Sequence, residues 1–169
     1  AIVYQGQQYS YEKVLQNSAI FANRFCKNTT PQKVLIFSEN SANWIFAFYG
    51  SMVCKATMIP VDVQSSLKEL SYIITDSYPD IIFTTSDKKE FVKTAVQNSS
   101  SSVNCEILTI EDIPLENDTN IVANDIFIDD SERTLFIIYT SGTTGSPKGV
   151  ELCYRNIMFN INAVSKEIP

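Results

Sequence analysis

The sequence predicts an α/β fold in which helices flank a mainly parallel sheet on both faces. Short, uninterrupted apolar runs at 34–37, 81–84 and 135–139 alternate with segments whose apolar residues recur at helical spacing. Strands of a parallel sheet are buried on both faces, so they carry continuous apolar runs instead of alternating ones. The 169 residues are enough for one such domain, and a hydrophobic content of 44% is ordinary for a soluble globular protein.

The first part of the chain alternates helix and strand. Apolar residues recur at helical spacing over 11–25, directly after Ser10, which is a typical N-cap residue. Residues 34–37 then form a short buried strand, and a second helix follows Asn40. The apolar stripe of that second helix consists of Trp44, Phe48 and Met52.

The middle of the chain continues the same alternation. We predict an extended piece at 58–61, where Pro60 indicates an edge strand or a strand end, because proline has no N–H for the sheet. Ser66 and Glu69 have the spacing of a capping box at the start of the next helix. The remaining predicted elements are a strand at 81–84, a helix at 87–97 and a strand at 106–109.

Composition excludes several classes of function. The chain has no histidine, which removes Ser-His-Asp and Cys-His nucleophilic sites, H-E-x-x-H zinc sites and histidine pH switches. The net charge of −6 comes from one stretch, since eight acidic residues and no basic ones lie between Glu111 and Glu132. We interpret 111–133 as a solvated acidic connection. The sequence has a pI near 4.6 and no basic stripe, so no nucleic-acid partner is expected.

The cysteines indicate a reducing compartment. Cys26, Cys54, Cys105 and Cys153 lie far apart and form no C-x-x-C pair, so we predict four free thiols and a cytoplasmic protein. The most apolar window, 44–54, is too short to cross a bilayer, and no transmembrane segment is predicted.

One stretch carries the chemistry: the sequence YTSGTTGSPKGV at 139–150, which we call the glycine-rich segment. It leaves the carboxyl end of the most apolar strand, where open α/β sheets bind ligands. Its glycines allow backbone N–H groups to approach an anion, its hydroxyls add donors, and Lys148 adds a positive charge. A polyphosphate needs such donors and a cation. The segment is not a Walker P-loop, because Pro147 stands where that motif requires glycine and Gly149 where it requires a hydroxyl.

These residues resemble the signature of the adenylate-forming, AMP-binding enzymes. Further similarities are Tyr9 to Glu12, Lys55 to Val61 with Thr57 in place of the usual glycine, Leu67 to Thr84, and Arg155-Asn156. The resemblance covers nearly the whole chain, but only the family's amino-terminal portion. It implies the amino-terminal subdomain of an adenylate-forming enzyme, in particular of an acyl-CoA synthetase acting on a fatty acid.

The resemblance implies ATP-dependent activation of a carboxylate as an acyl-adenylate, followed by transfer to the thiol of coenzyme A or an acyl carrier protein. It further implies Mg²⁺, with the Thr143 hydroxyl facing the ion, and a phosphate-steering role for Lys148, our one catalytic candidate. The family's catalytic lysine lies in a later carboxy-terminal domain. The residues implied in ATP binding are Thr140, Ser141, Gly142, Thr143, Thr144, Gly145, Ser146, Pro147 and Lys148.

The family's later elements, including the carboxy-terminal lid domain, are absent from the sequence. We therefore interpret 1–169 as a single α/β domain and a fragment, which we expect to be inactive alone, to self-associate, and to be mobile at 141–149 without nucleotide. Tyr154 stands where many relatives have histidine, and either packing or substrate contact would explain it. Three other functions stay open: a peptide-synthetase adenylation domain, an acyl-carrier-protein ligase, and a non-catalytic anion-binding module.

Overall fold

A six-stranded sheet organises the computed structural model, which describes residues 1–26, 30, 32–100, 103–113, 132–140 and 146–166. A two-stranded hairpin precedes the sheet. The strands are β1 Ile2–Tyr4, β2 Gln7–Tyr9, β3 Lys33–Phe37, β4 Thr57–Pro60, β5 Ile81–Thr84, β6 Glu106–Thr109, β7 Thr134–Thr140 and β8 Lys148–Cys153. The helices are α1 Tyr11–Phe25, α2 Ala42–Val53, α3 Leu67–Ser77, α4 Lys89–Gln97 and α5 Tyr154–Val164, with short 3₁₀ turns at Ser86–Lys88 and Ile110–Asp112.

The strand order in the sheet is β6-β5-β3-β4-β7-β8. The first five strands in this order are parallel, and β8 runs antiparallel to β7. The predicted α/β class with a mainly parallel sheet is therefore confirmed. β8 was not predicted from the sequence, because residues 148–153 are mostly exposed and lack the continuous apolar run of a buried strand.

Two apolar cores lie on opposite faces of the sheet, which confirms that helices cover both. On one face, Ile36 packs with Phe21 of α1 and Phe46 of α2. On the other face, Leu35 packs with Leu70 of α3 and Val92 of α4. Neighbouring residues of one strand thus enter different cores, because successive side chains point to opposite faces. This is why the strand sequences are continuously apolar.

Polar side chains begin three of the helices. The Ser10 hydroxyl accepts a hydrogen bond from the Lys13 N–H at 3.1 Å, as predicted. Ser41, one residue after Asn40, does the same for α2. At α3, Ser66 and Glu69 form the complete capping box that their spacing predicts.

Two details of the predicted elements differ in the structure. Pro60 is the last residue of β4, which lies between β3 and β7, so the strand-end interpretation is right and the edge-strand interpretation is wrong. The stripe of Trp44, Phe48 and Met52 is only half-buried. The fully buried face of α2 lies beside that stripe and includes Phe46 and Gly50, because α2 packs closely against α1.

The prediction of four free thiols is wrong for two of the cysteines. Cys26 and Cys54 form a disulfide, because the carboxyl ends of α1 and α2 lie side by side and bring the two Cα atoms to 6.6 Å. Cys105 and Cys153 are free. None of the helices within the described residues has the length and hydrophobicity that crossing a membrane requires.

Candidate phosphate-binding site

The glycine-rich segment contains the end of β7, the start of β8 and the connection between these two antiparallel strands. β7 ends at Thr140 and β8 begins at Lys148, and these two residues are the last pair in the register. Directly before them, Tyr139 pairs with Gly149. The side chains of Thr140 and Lys148 are both exposed, so a hydroxyl and an ammonium group flank the opening of the connection.

The structure brings four of the nine implied ATP-binding residues to this point. Thr140, Ser146, Pro147 and Lys148 are described, and all but the half-buried Pro147 are exposed. The other five lie outside the described residues, and so does the metal prediction at Thr143. These five are Ser141, Gly142, Thr143, Thr144 and Gly145. Most of the stretch expected to be mobile, 141–149, also lies there.

Burial anchors the strand that carries the segment. Leu135, Phe136 and Ile137 of β7 are buried, and the Phe136 ring stacks on Phe48 of α2 with centroids 5.3 Å apart. Exposure begins at Ile138, and of the last three residues of β7 only Tyr139 stays half-buried against the core. A rigid strand therefore supports the segment at the sheet edge where the parallel strands end.

Hydroxyl groups at the neighbouring strand ends are engaged within the protein. The Thr84 hydroxyl donates to the Phe37 carbonyl at 2.8 Å, and the Thr109 hydroxyl donates to Asp112 at 3.0 Å. The buried hydroxyls of Thr84 and Thr109 therefore stabilise the fold, whereas the exposed hydroxyl of Thr140 in the glycine-rich segment faces solvent.

Tyr139 lies in β7 one residue before the strand ends, and its hydroxyl has a partner that no sequence pattern indicated. It donates a hydrogen bond to the Asp76 carboxylate of α3 at 2.6 Å. Burial and this bond raise the pKa of Tyr139 far above its ordinary value of 10. The phenol therefore stays protonated at physiological pH.

The residues after the segment have structural contacts. Asn156 accepts the Cys153 N–H at 2.9 Å and so caps α5, and Arg155 forms an ion pair with Glu132 at 2.9 Å. Tyr154 is half-buried and packs on the core between the sheet, α1 and α2, which favours the packing explanation for this residue. Thr57, in place of the family's glycine, donates its hydroxyl to the Thr134 carbonyl at 2.9 Å.

Among the described residues, no group of three or more His, Cys, Asp or Glu side chains is arranged to hold a metal ion. The described part of the site presents exposed donors of two kinds, the hydroxyls of Thr140 and Ser146 and the ammonium group of Lys148.

Comparison with known proteins identifies a matching family and a similar curated protein. The family profile of the AMP-binding enzyme matches residues 1–168. The D-alanine–D-alanyl carrier protein ligase of Staphylococcus aureus is 27% identical over 158 residues. This match covers 94% of the chain but 30% of the ligase, so the chain spans about a third of the relative's length.

Two solved structures illustrate that other proteins share this fold. ATP-bound MatB from Rhodopseudomonas palustris superposes with a TM-score of 0.74 at 21% identity, over 92% of this chain and 31% of MatB. The o-succinylbenzoate CoA synthetase MenE of Bacillus subtilis, in complex with its acyl-adenylate intermediate, gives 0.79 at 19% identity, over 99% of this chain and 33% of MenE.

Proposed function

Because the chain belongs to the AMP-binding enzyme family, we propose that it forms part of a ligase that activates a carboxylic acid with ATP. The single observation that carries the proposal is the position of the glycine-rich segment. Thr140 and Lys148, which flank the connection within this segment, are paired at the sheet edge where the parallel strands end and present exposed donors there. This edge is the ligand-binding side of open α/β sheets.

The proposed reaction has two steps. A carboxylate oxygen of the substrate attacks the α-phosphorus of ATP, and the bond to the bridging oxygen breaks, which gives an acyl-adenylate and pyrophosphate. A thiol then attacks the acyl carbon, loses its proton and releases AMP, leaving a thioester. Activation is needed because a carboxylate has no good leaving group, whereas AMP leaves readily.

The glycine-rich segment would bind the β- and γ-phosphates in this scheme. Backbone N–H groups and hydroxyls of 140–146 would donate to phosphate oxygens, and Lys148 would steer and neutralise the departing pyrophosphate. Donors aimed at developing negative charge are among the largest contributions to catalysis. Mg²⁺ would accompany the triphosphate and reduce its charge, with the Thr143 hydroxyl as the proposed protein contact.

We propose a fatty acid as the carboxylate and coenzyme A as the thiol acceptor, with 1–169 as one α/β domain of a longer enzyme. A second candidate is a carrier-protein ligase for an amino acid. It is favoured by a specific observation, the 27% identity to a D-alanine–D-alanyl carrier protein ligase. The two candidates differ in the carboxylate and in the acceptor, so one assay can separate them.

The test is carboxylate-dependent exchange of labelled pyrophosphate into ATP by the protein in its natural full length. Fatty, aryl and amino acids are supplied separately, and coenzyme A or a phosphopantetheinyl carrier protein is added afterwards to detect the thioester. We expect exchange with one acid class, and fatty acids support the first candidate. Exchange with amino acids alone supports the second, and tight ATP binding without any exchange supports a non-catalytic anion-binding module.

Lys148→Ala tests the steering role within the same assay. Because this lysine provides the one cation of the segment, we expect kcat/KM for ATP to fall by about tenfold to a hundredfold. Lys166→Ala is the matched control, an exposed lysine beyond the end of α5, and should leave the exchange unchanged. An unchanged rate in Lys148→Ala would contradict the role of Lys148. Purified 1–169 is expected to show no exchange by itself.

A further inference from the structure

The hydrogen bond between Tyr139 and Asp76 joins two parts of the fold that are distant in sequence. The Tyr139 hydroxyl donates to Asp76 Oδ2 at 2.6 Å across a separation of 63 residues. Asp76 belongs to the last turn of α3, and Tyr139 is the residue before Thr140. The bond therefore connects α3 with the strand end from which the glycine-rich segment leaves the sheet.

Gly149 allows the Tyr139 ring to reach Asp76. A Cβ at Gly149 would lie 3.1 Å from Tyr139 Cζ and 3.3 Å from its hydroxyl oxygen, closer than carbon atoms normally approach. The same Cβ would lie 2.9 Å from a methyl group of Ile137, which is buried. The ring thus occupies the space beside the glycine that pairs with it across the hairpin.

The rest of the Tyr139 side chain is held by packing. It contacts the core that the sheet forms with α3 and α4, and it is half-buried there. With the ring fixed by this core and by Gly149, the hydroxyl has a defined direction. Because the pKa of the phenol is raised well above 10 by burial and by Asp76, the hydroxyl remains a donor over the whole physiological range.

We propose that Tyr139 and Asp76 are positioning residues for ATP: their hydrogen bond holds the pair Thr140 and Lys148 at a fixed position relative to α3. Neither residue needs to contact the nucleotide. The inference rests on the proposed function, because it assigns a task in binding ATP to residues outside the predicted ATP-binding set. Its physical basis is that the bond acts one residue before the first implied phosphate ligand, so its loss frees the strand end that carries Thr140.

The kinetic test uses Tyr139→Phe and Asp76→Ala in the natural full-length protein, assayed by pyrophosphate exchange. We expect KM for ATP to rise about fivefold to tenfold, the effect of losing one hydrogen bond, while KM for the carboxylate changes less than twofold. Asp76→Asn keeps an acceptor oxygen and should restore most of the affinity. The double variant should be no worse than the worse single variant, because both changes remove the same bond. Tyr11→Phe, which removes the hydroxyl of an exposed tyrosine on α1, is the control.

Amide hydrogen exchange without nucleotide provides a second readout. We expect the amides of β7 and β8 to exchange faster in Tyr139→Phe and in Asp76→Ala than in the unmodified protein or Tyr11→Phe. An unchanged KM for ATP in both variants would overturn the proposal, and so would equal changes in KM for both substrates. If the unmodified protein exchanges no pyrophosphate, the proposed function fails. In that case, unchanged amide exchange overturns the positioning role and faster exchange supports it.

Discussion

Gly50 lies where α2 crosses α1, and replacing it with alanine tests how closely these helices pack. A Cβ at this position would lie 2.8 Å from Phe21 Cβ, 2.9 Å from the Ser18 carbonyl oxygen and 3.1 Å from the Ala22 nitrogen. Two of these three neighbours are backbone atoms of α1, and the third is the first side-chain carbon of a fully buried phenylalanine. None of them is the end of a flexible side chain that could move aside.

Two effects of Gly50→Ala oppose each other. Alanine is favoured over glycine in a helix interior by about 1 kcal/mol. Normal carbon–carbon contact is about 3.5 Å, so the Cβ requires the helices to separate locally by roughly 0.7 Å. Overpacking of this kind costs about 1–3 kcal/mol, and the rigidity of the three neighbours favours the upper end. We therefore expect a net loss of about 1–2 kcal/mol in the free energy of unfolding.

Equilibrium urea unfolding measures this effect, and fluorescence of Trp44 reports it because the chain has a single tryptophan and it lies in α2. Asn23→Ala is the control, since Asn23 is an exposed position of α1 where only helix propensity changes. It should raise stability by a few tenths of a kcal/mol, up to about 0.7. If Gly50→Ala were as stable as the unmodified protein or more so, propensity would outweigh packing and the inferred closeness of α1 and α2 would be refuted.

Four further predictions concern the cap of α3, the ionisation of Glu69, a core hydroxyl and the surface of α5. Ser66→Ala should cost about 1 kcal/mol in urea unfolding through loss of the α3 cap. Hydrogen bonds from the Ser66 N–H and hydroxyl lower the pKa of Glu69, so ionised Glu69 stabilises the fold above pH 4.5. The difference in free energy of unfolding between the unmodified protein and Glu69→Gln should therefore shrink as the pH falls below that value. A difference that stays constant with pH would contradict this. Thr84→Val should lower the free energy of unfolding by about 1–2 kcal/mol, because the Phe37 carbonyl loses its buried donor. Calorimetry would measure the change. An unchanged stability would show that another donor replaces the hydroxyl. Phe159 of α5 is 74% exposed, and Ile161 and Val164 are more than half exposed. Light scattering should therefore detect self-association, and Phe159→Ser should weaken it. A protein that stays monomeric at high concentration would disprove the prediction.

The predicted elements that agree with the structure are those determined by local interactions. Ser10 and Ser66 cap their helices through bonds that span three residues. The strands at 34–37 and 81–84 are buried on both faces, so consecutive residues are apolar and the pattern is visible in a short stretch of sequence. Local signals of this kind need no knowledge of which strand lies beside which.

The differences arise where residues distant in sequence meet. Pro60 is compatible with an edge or with a strand end, and only the insertion of β7 next to β4 decides between them. Cys26 and Cys54 carry no pairing signal in their spacing, and the packing of α1 on α2 brings them together. β8 is also of this kind, because Val150 and its neighbours are exposed and lack the apolar run of a buried strand.

For the candidate site, the sequence by itself determined which residues have phosphate-binding chemistry, because glycines, hydroxyls and a lysine are contiguous in the chain. Only the tertiary structure decided that Thr140 pairs with Lys148 and that Tyr139 reaches Asp76. The physical reason is the distance along the chain over which each property is determined. Backbone freedom and donor type belong to each residue, whereas the direction of a side chain depends on the elements that fold against it.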